Sequence, residues 1–183
     1  MTIVISIAAV SGGGKTTLTN GLLQSLSDSA ALYFDKIDFQ KAPEDLTAWI
    51  DAGGDLNEWG MEPLIKKIEK ALNQADAPAY LILDYPFSYL QEEVAQTIHH
   101  SFYLDTPLDI AMARRVLRDQ EYRDIGSVMK ELQHYLRDSR RAYLHMEQTV
   151  KLNADYVLDG TKNPDDLVAE VMTCLKNKSQ SQS

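Results

Sequence analysis

Gly12, Gly13, Gly14, Lys15 and Thr16 are the residues whose types and spacing point most directly to chemistry. Consecutive glycines let a backbone close around an anion with its N–H groups turned inward, and a helix starting just behind them adds the positive end of its dipole. In such a loop a lysine reaches the β- and γ-phosphates of a nucleotide, and the hydroxyl that follows it ligates Mg²⁺. The run Ala9-Val10-Ser11-Gly12-Gly13-Gly14-Lys15-Thr16-Thr17 meets the pattern G-x-x-x-x-G-K-[ST] at Gly14, Lys15 and Thr16, with Ala9 in the first glycine position. Ser11 through Thr17 are therefore the expected phosphate-binding residues, with Thr16 as a metal ligand.

A second chemical group is the carboxylate that ends an apolar run. Ala30-Ala31-Leu32-Tyr33-Phe34 leads to Asp35, and Ala79-Tyr80-Leu81-Ile82-Leu83 leads to Asp84. In open α/β sheets, ligands bind at the carboxyl ends of the strands. Asp84 is placed to hold Mg²⁺ through water or to position an attacking hydroxyl. Asp35 is the candidate base that orients and deprotonates an acceptor, with Asp38 as its competitor and an Asx turn or helix cap leaving the strand as the plain structural alternative. The third group is guanidinium. All seven arginines (Arg114, Arg115, Arg118, Arg123, Arg137, Arg140 and Arg141) fall between 114 and 141. Delocalised, permanently charged donors suit a helical lid that clamps transferring phosphates, and Arg114, Arg115 and Arg118 are the ones expected to act. A solvated helix pair, with Asp119, Glu121, Asp124 and Asp138 as partners, is the competing account of any single arginine.

The elements that must position these groups alternate. Ile3, Val4, Ile5 and Ile7 form the near-continuous apolar run of a strand buried on both faces, and Leu18, Leu22, Leu23 and Leu26 recur at helical spacing behind the glycines. Further strands are predicted at about 30–34, 79–83, 101–105 and 156–158. Helices are predicted at about 63–74, with lysines opposite Leu64, Ile65, Ile68 and Leu72; from Thr106, with a Thr cap, Pro107 first and Asp109 closing a capping box; through Val128 to Val150 as one long helix; and from Asn163-Pro164 onward. His99 and His100 are assigned to a surface turn without a role. The segment 35–62 reads as an acidic, aromatic insertion over the acceptor site, with an apparent short helix from Pro43 to Ala52. The expected fold is α/β, three layers around a parallel sheet of about five strands with a helical lid. Its single domain spans 1–178, with a polar tail at 179–183 that begins to fray near Lys176.

Composition narrows the partners. Lys and Arg total 18 against 27 Asp and Glu, a formal charge of −9 that disfavours a sequence-independent grip on nucleic acid. One cysteine, Cys174, sits in a helical pattern and reads as an inert, buried thiol. The first apolar run lacks a basic flank and leads straight into the glycines, so it reads as a core strand. With no stretch approaching a membrane span, the chain is expected in the cytoplasm. Self-association is left open.

A guanine-reading Asn-Lys-x-Asp and an Asp-x-x-Gly after the third strand are not met by Thr161-Lys162-Asn163-Pro164 and Asp84-Tyr85-Pro86-Phe87, which argues against a GTPase switch. A small kinase needs the loop, a base near the acceptor and charge stabilisation, which this chain offers. Together, the loop, Phe34-Asp35-Lys36-Ile37-Asp38-Phe39, the stretch Asp105 to Asp119 and Ala154-Asp155-Tyr156-Val157-Leu158-Asp159-Gly160 resemble the uridine kinase and nicotinamide riboside kinase branch of P-loop phosphotransferases. The resemblance implies a P-loop NTPase fold, ATP and Mg²⁺ as co-substrate and metal, Asp35 as base, a lid entered near Arg114, and Gly160 beside the adenine.

No arginine precedes the third strand to bind a phosphorylated acceptor, and Phe39, Trp49, Trp59, Tyr85 and Phe87 are available for stacking. A neutral or cationic hydroxyl acceptor, a nucleoside first, is therefore favoured. Kinases for pantothenate or a sugar, and a regulatory protein that binds ATP without transferring phosphate, are the alternatives. The sequence selects neither the acceptor nor ATP over GTP.

Overall fold

A computed structural model describes residues 2–39, 43, 48–49, 52–119 and 124–180. Five strands, β1 (Ile3–Ala8), β2 (Ser29–Tyr33), β3 (Tyr80–Asp84), β4 (His100–Asp105) and β5 (Tyr156–Asp159), form one parallel sheet in the order β2-β3-β1-β4-β5. β1 is its centre, with Ile5 in register with Ile82 on one side and His100 on the other. Because every strand runs the same way, the turns that follow all five open on a single edge.

Residue parity along the strands sorts the core into two layers. On one face Ile5, Ile7, Ile82, Phe102, Leu104 and Leu158 meet Leu18, Leu22 and Leu26 of the helix α1 (Lys15–Ser25) and its C-terminal flank. Leu167, Val171 and Leu175 of the C-terminal helix, Pro164–Gln180, join the same layer. On the other face Val4, Leu81 and Leu83 meet Met61, Leu64 and Ile68 at the start and along the inner side of α2 (Glu62–Asn73). Lys66, Lys67 and Lys70 of that helix are exposed, as its periodicity requires. Fully burying one such aliphatic side chain contributes about 1.5–3 kcal/mol. A surface ion pair contributes about 1 kcal/mol or less. Packing of these two layers therefore sets the shape of the sheet's carboxyl edge.

The segment after β3 carries α3 (Glu92–Ala95), and β4 is followed by α4 (Leu108–Arg118). The lid continues as α5 (Ile125–His134), a π-helical turn at Tyr135–Ser139, α6 (Arg140–Gln148) and α7 (Val150–Asn153), before β5 and α8 (Pro164–Gln180). Thus the predicted single helix from Val128 to Val150 is interrupted twice. At the second break the Thr149 hydroxyl donates to the His145 carbonyl and Thr149 leaves helical geometry (φ −120°), a side chain competing with the ladder for a backbone acceptor. Ala8, Tyr103 and Val150, with Leu90 and Met146 against them, form a small third cluster that seats the lid.

Several other expectations are corrected. His100 opens β4 and is buried, its ring 6.5 Å from that of Tyr156, so it belongs to the sheet and not to a surface turn; His99 stays exposed in the bend before the strand, where its ring accepts the Val4 N–H at 3.1 Å. α8 runs on through Lys176 to Gln180, beyond where fraying was expected. Ala48 and Trp49 are helical, but most of the short helix expected from Pro43 to Ala52, together with Lys41, Glu44, Asp45, Asp51, Glu121, Arg123 and 181–183, lies outside the described residues. Cys174 is partly buried against the first core layer, and burial pushes its thiol up from the ordinary value. Among the described residues no helix is long and apolar enough to cross a membrane.

Candidate active site

The loop after β1 closes as a helix-leading anion cradle. Gly14 is the N-cap of α1 at φ 103°, and Gly12 stands at φ 81°. Both conformations disfavour any residue with a Cβ. Gly12 has a second reason to be glycine: a Cβ there would lie 2.1 Å from the Ala111 carbonyl oxygen of α4, so the lid's first helix rests directly on the loop. The alanine in the first glycine position is accommodated because Gly13, against which it packs, has no side chain; a Cβ on Gly13 would stand 2.7 Å from that of Ala9.

Lys15 Nζ donates to the Ala9 carbonyl at 3.3 Å, folding back over the loop. Burial pulls its ammonium below the ordinary lysine pKa, while the carboxylates of Asp84 and Asp35 oppose that pull. Thr16 Oγ1 donates to Asp84 Oδ2 at 2.6 Å, and Asp84 is only 4% exposed. Burial pushes the Asp84 carboxyl up, against the hydrogen bond from Thr16 and the charge of Lys15. A hydroxyl and a carboxylate held together at the mouth of the loop are a hard oxygen donor pair of the type Mg²⁺ accepts alongside nucleotide phosphates, and they fit that ion.

A cavity of about 420 Å³ opens over the loop at Lys15 and Thr16. The whole loop from Ser11 to Thr17 lines it, with Asp35 from the 3₁₀ turn after β2 (Phe34–Lys36), Arg114 and Arg118 from α4, and Gly160 and Lys162 after β5. Asp35 is exposed, whereas Asp38 is exposed but is not among the residues lining this cavity. Arg114 donates to the Gly160 carbonyl at 2.9 Å, and Arg118 pairs with Asp119 at 2.7 Å. Arg115 goes elsewhere, with Nη1 on the Tyr143 hydroxyl at 2.7 Å and Nη2 on Glu131 at 2.6 Å. Of the carboxylates proposed as arginine partners, Asp119 and Asp138 serve in that way, while Asp124 instead caps α5 by accepting from Ser127.

A second cavity of about 390 Å³ lies under the lid. Trp49 and Gly53–Leu56 form one wall, Phe87 and Leu90 a second, and Tyr143, Met146, Thr149 and Val150 of the lid a third. The stacking residues expected around an acceptor divide here. Phe34, Phe39, Trp59, Tyr85 and Phe87 pack on one another, with centroids 4.6–6.4 Å apart, and join the core beside α2. Trp49 and Phe87 face the second cavity. Lys36, a potential phosphate ligand, sits with its ammonium 4.1 Å above the Tyr33 ring, and Lys41 lies outside the described residues.

The site contains one residue whose role is not legible locally. Thr106, read as a helix cap, makes no cap hydrogen bond: α4 is capped at Pro107, and the buried Thr106 hydroxyl donates to the Gly13 carbonyl at 2.9 Å. It pins the loop to the end of β4. Replacing Thr106 by Val keeps the shape and removes the donor, and is expected to lower stability by about 1–3 kcal/mol through the orphaned carbonyl. Nucleotide affinity should fall several-fold with it, and Thr106→Ser should restore most of both. Thermal melts and nucleotide titration of the two variants check this.

No family model matches the chain. Among curated proteins it is similar to the uridine kinase of Borrelia duttonii, 25% identical over 179 residues that cover 85% of each chain. Among solved structures it superposes on a sugar kinase from a Janibacter species with a TM-score of 0.60 at 18% identity, covering 96% of this chain and 95% of that one. A deoxyadenosine kinase from M. mycoides, solved with bound dATP, gives a TM-score of 0.57 at 15% identity over 95% of this chain and all of the other. This is the P-loop kinase fold. In sequence the chain resembles the uridine kinase group, as the loop and the Asp35 segment implied, and the P-loop kinase architecture accounts for the single parallel sheet, the glycine cradle and the helical lid.

Proposed function

We propose that the protein is an ATP- and Mg²⁺-dependent kinase that moves the γ-phosphoryl group to a hydroxyl of a small, unphosphorylated metabolite, with a nucleoside as the first candidate. The observation that carries this reading is that one cavity gathers the glycine cradle with Lys15 and Thr16, Asp35 and two arginines, with Asp84 reaching it through its hydrogen bond from Thr16. Phosphoryl transfer needs little more from a protein than positioning, charge stabilisation and a base.

In this reading the loop amides and Lys15 hold the β- and γ-phosphates, and Gly160 lies beside the adenine. Thr16 and Asp84 hold Mg²⁺, which when bound neutralises phosphate charge. Asp35 accepts the proton of the acceptor hydroxyl as its oxygen bonds to the γ-phosphorus and ADP departs with the bridging oxygen. Arg114 and Arg118 face the developing charge. The acceptor's body occupies the second cavity, whose aromatic and aliphatic walls suit a flat or apolar group. That cavity is lined by no arginine or lysine among the described residues, which disfavours a phosphorylated acceptor. The setting proposed for this chemistry is the cytoplasm, where ATP is supplied. Acceptor-dependent formation of ADP, with the phosphorylated product identified by mass, tests the proposal. Tight ATP binding without any acceptor effect would favour a regulatory role instead.

A further inference from the structure

Three arginines within five residues of α4 do not do the same thing, and their division suggests how the two cavities communicate. Arg114 and Arg118, four residues apart, share a face and line the nucleotide cavity. Arg115 lies about 100° around the helix from Arg114. Its Cβ stands 3.2 Å from where a Cβ on Gly12 would be, so the root of its side chain lies against the phosphate loop beside the Ala111 carbonyl. Its guanidinium reaches away, to Tyr143 on the wall of the second cavity and to Glu131 of α5. The Arg115 and Glu131 side chains are only 19% and 10% exposed, which makes the pair much less screened than a surface bridge.

We propose that Arg115 is a positioning residue, not a ligand of the transferring phosphate: it ties the phosphate loop to the acceptor wall through Tyr143, so that nucleotide on the loop sets the shape offered to the acceptor. This rests on the kinase reading for the acceptor's identity, but the link between loop and wall does not. Coupling of this type between two sites is worth about 5- to 150-fold in affinity.

The test compares Arg115→Met/Glu131→Gln, which leaves no buried charge alone, with Tyr143→Phe, which keeps the ion pair, and with Arg118→Met. Each is measured for nucleotide Kd, acceptor KM and kcat, and for the nucleotide-induced change in Trp49 emission in a Trp59→Phe background. Breaking the tie at either end should raise acceptor KM by about tenfold. It should leave kcat and nucleotide Kd within about threefold and abolish the Trp49 response, and combining both ends should add nothing further. Arg118→Met should instead lower kcat and keep the Trp49 response. Loss of nucleotide affinity or of kcat in the Arg115 variant with acceptor KM unchanged would overturn the proposal, as would a Trp49 response that survives. If the wild type phosphorylates no acceptor, the kinase reading fails, while nucleotide Kd and Trp49 emission still decide the role of Arg115.

Discussion

Asp35→Asn is expected to lower turnover by about a thousandfold while nucleotide binding stays within twofold of wild type. General-base catalysis by a positioned side chain contributes about 10²–10⁴-fold. The substitution keeps the shape of the side chain and removes its ability to take a proton. Asp35 is suited to that loss being specific. It sits on a short 3₁₀ turn at the carboxyl end of β2, exposed to the cavity, and its charge is felt by Lys15, Asp84 and Arg118. Asp38→Asn, on a carboxylate that does not line the cavity, should cost less than tenfold; a reversed ranking would move the base to Asp38. Turnover by coupled ADP detection, together with equilibrium titration of a nucleotide analogue, separates the two.

Lys15→Met should be the second large effect, lowering kcat/KM by about 10²–10³-fold, the range for removing one preorganised donor from developing charge. Here nucleotide affinity falls too, because Lys15 is proposed to bind the ground-state phosphates as well as the transferring one. The fold should survive. Lys15 makes one long hydrogen bond to Ala9, and burial already works against its charge, so the methionine stem retains the packing and relieves that penalty, at the expense of Asp84 losing a positive neighbour. A melting midpoint close to wild type with nucleotide binding weakened is the expected pair of results, measured by calorimetry and titration. An unfolded variant would mean that Lys15 is structural.

The scaffold of this site was readable because its signals are local. Five apolar runs of strand length, the first leading into the glycines and the other four ending in Asp, interleaved with helical periodicity, leave few arrangements open, and the parallel sheet follows. The glycine loop was legible for the same reason, since strand, glycines and helix are contiguous. What sequence did not reveal depends on partners distant in the chain. Thr106 before a proline looks like a cap, and only the fold brings Gly13, 93 residues away, to its hydroxyl. Arg114 and Arg115 are equivalent as letters, yet of these successive helical positions one lines the nucleotide cavity and the other bonds Tyr143 on the wall of the second. The second cavity draws Trp49, Leu90 and Met146 from three separate segments, none of which marks it alone. His100 misled because a pair of polar residues suggests a turn, whereas its ring is buried beside Tyr156 at the start of β4.

The central claim, transfer of a phosphoryl group to an unphosphorylated hydroxyl, is tested most directly by following ADP release from ATP and Mg²⁺ with uridine, cytidine, nicotinamide riboside, pantothenate and simple sugars, against UMP and CMP, with products identified by mass. Stimulation by one unphosphorylated acceptor and a product heavier by one phosphoryl group is the expected result. Stimulation by a monophosphate alone would contradict the acceptor assignment, and ATP binding with no acceptor raising ADP release would contradict the kinase itself.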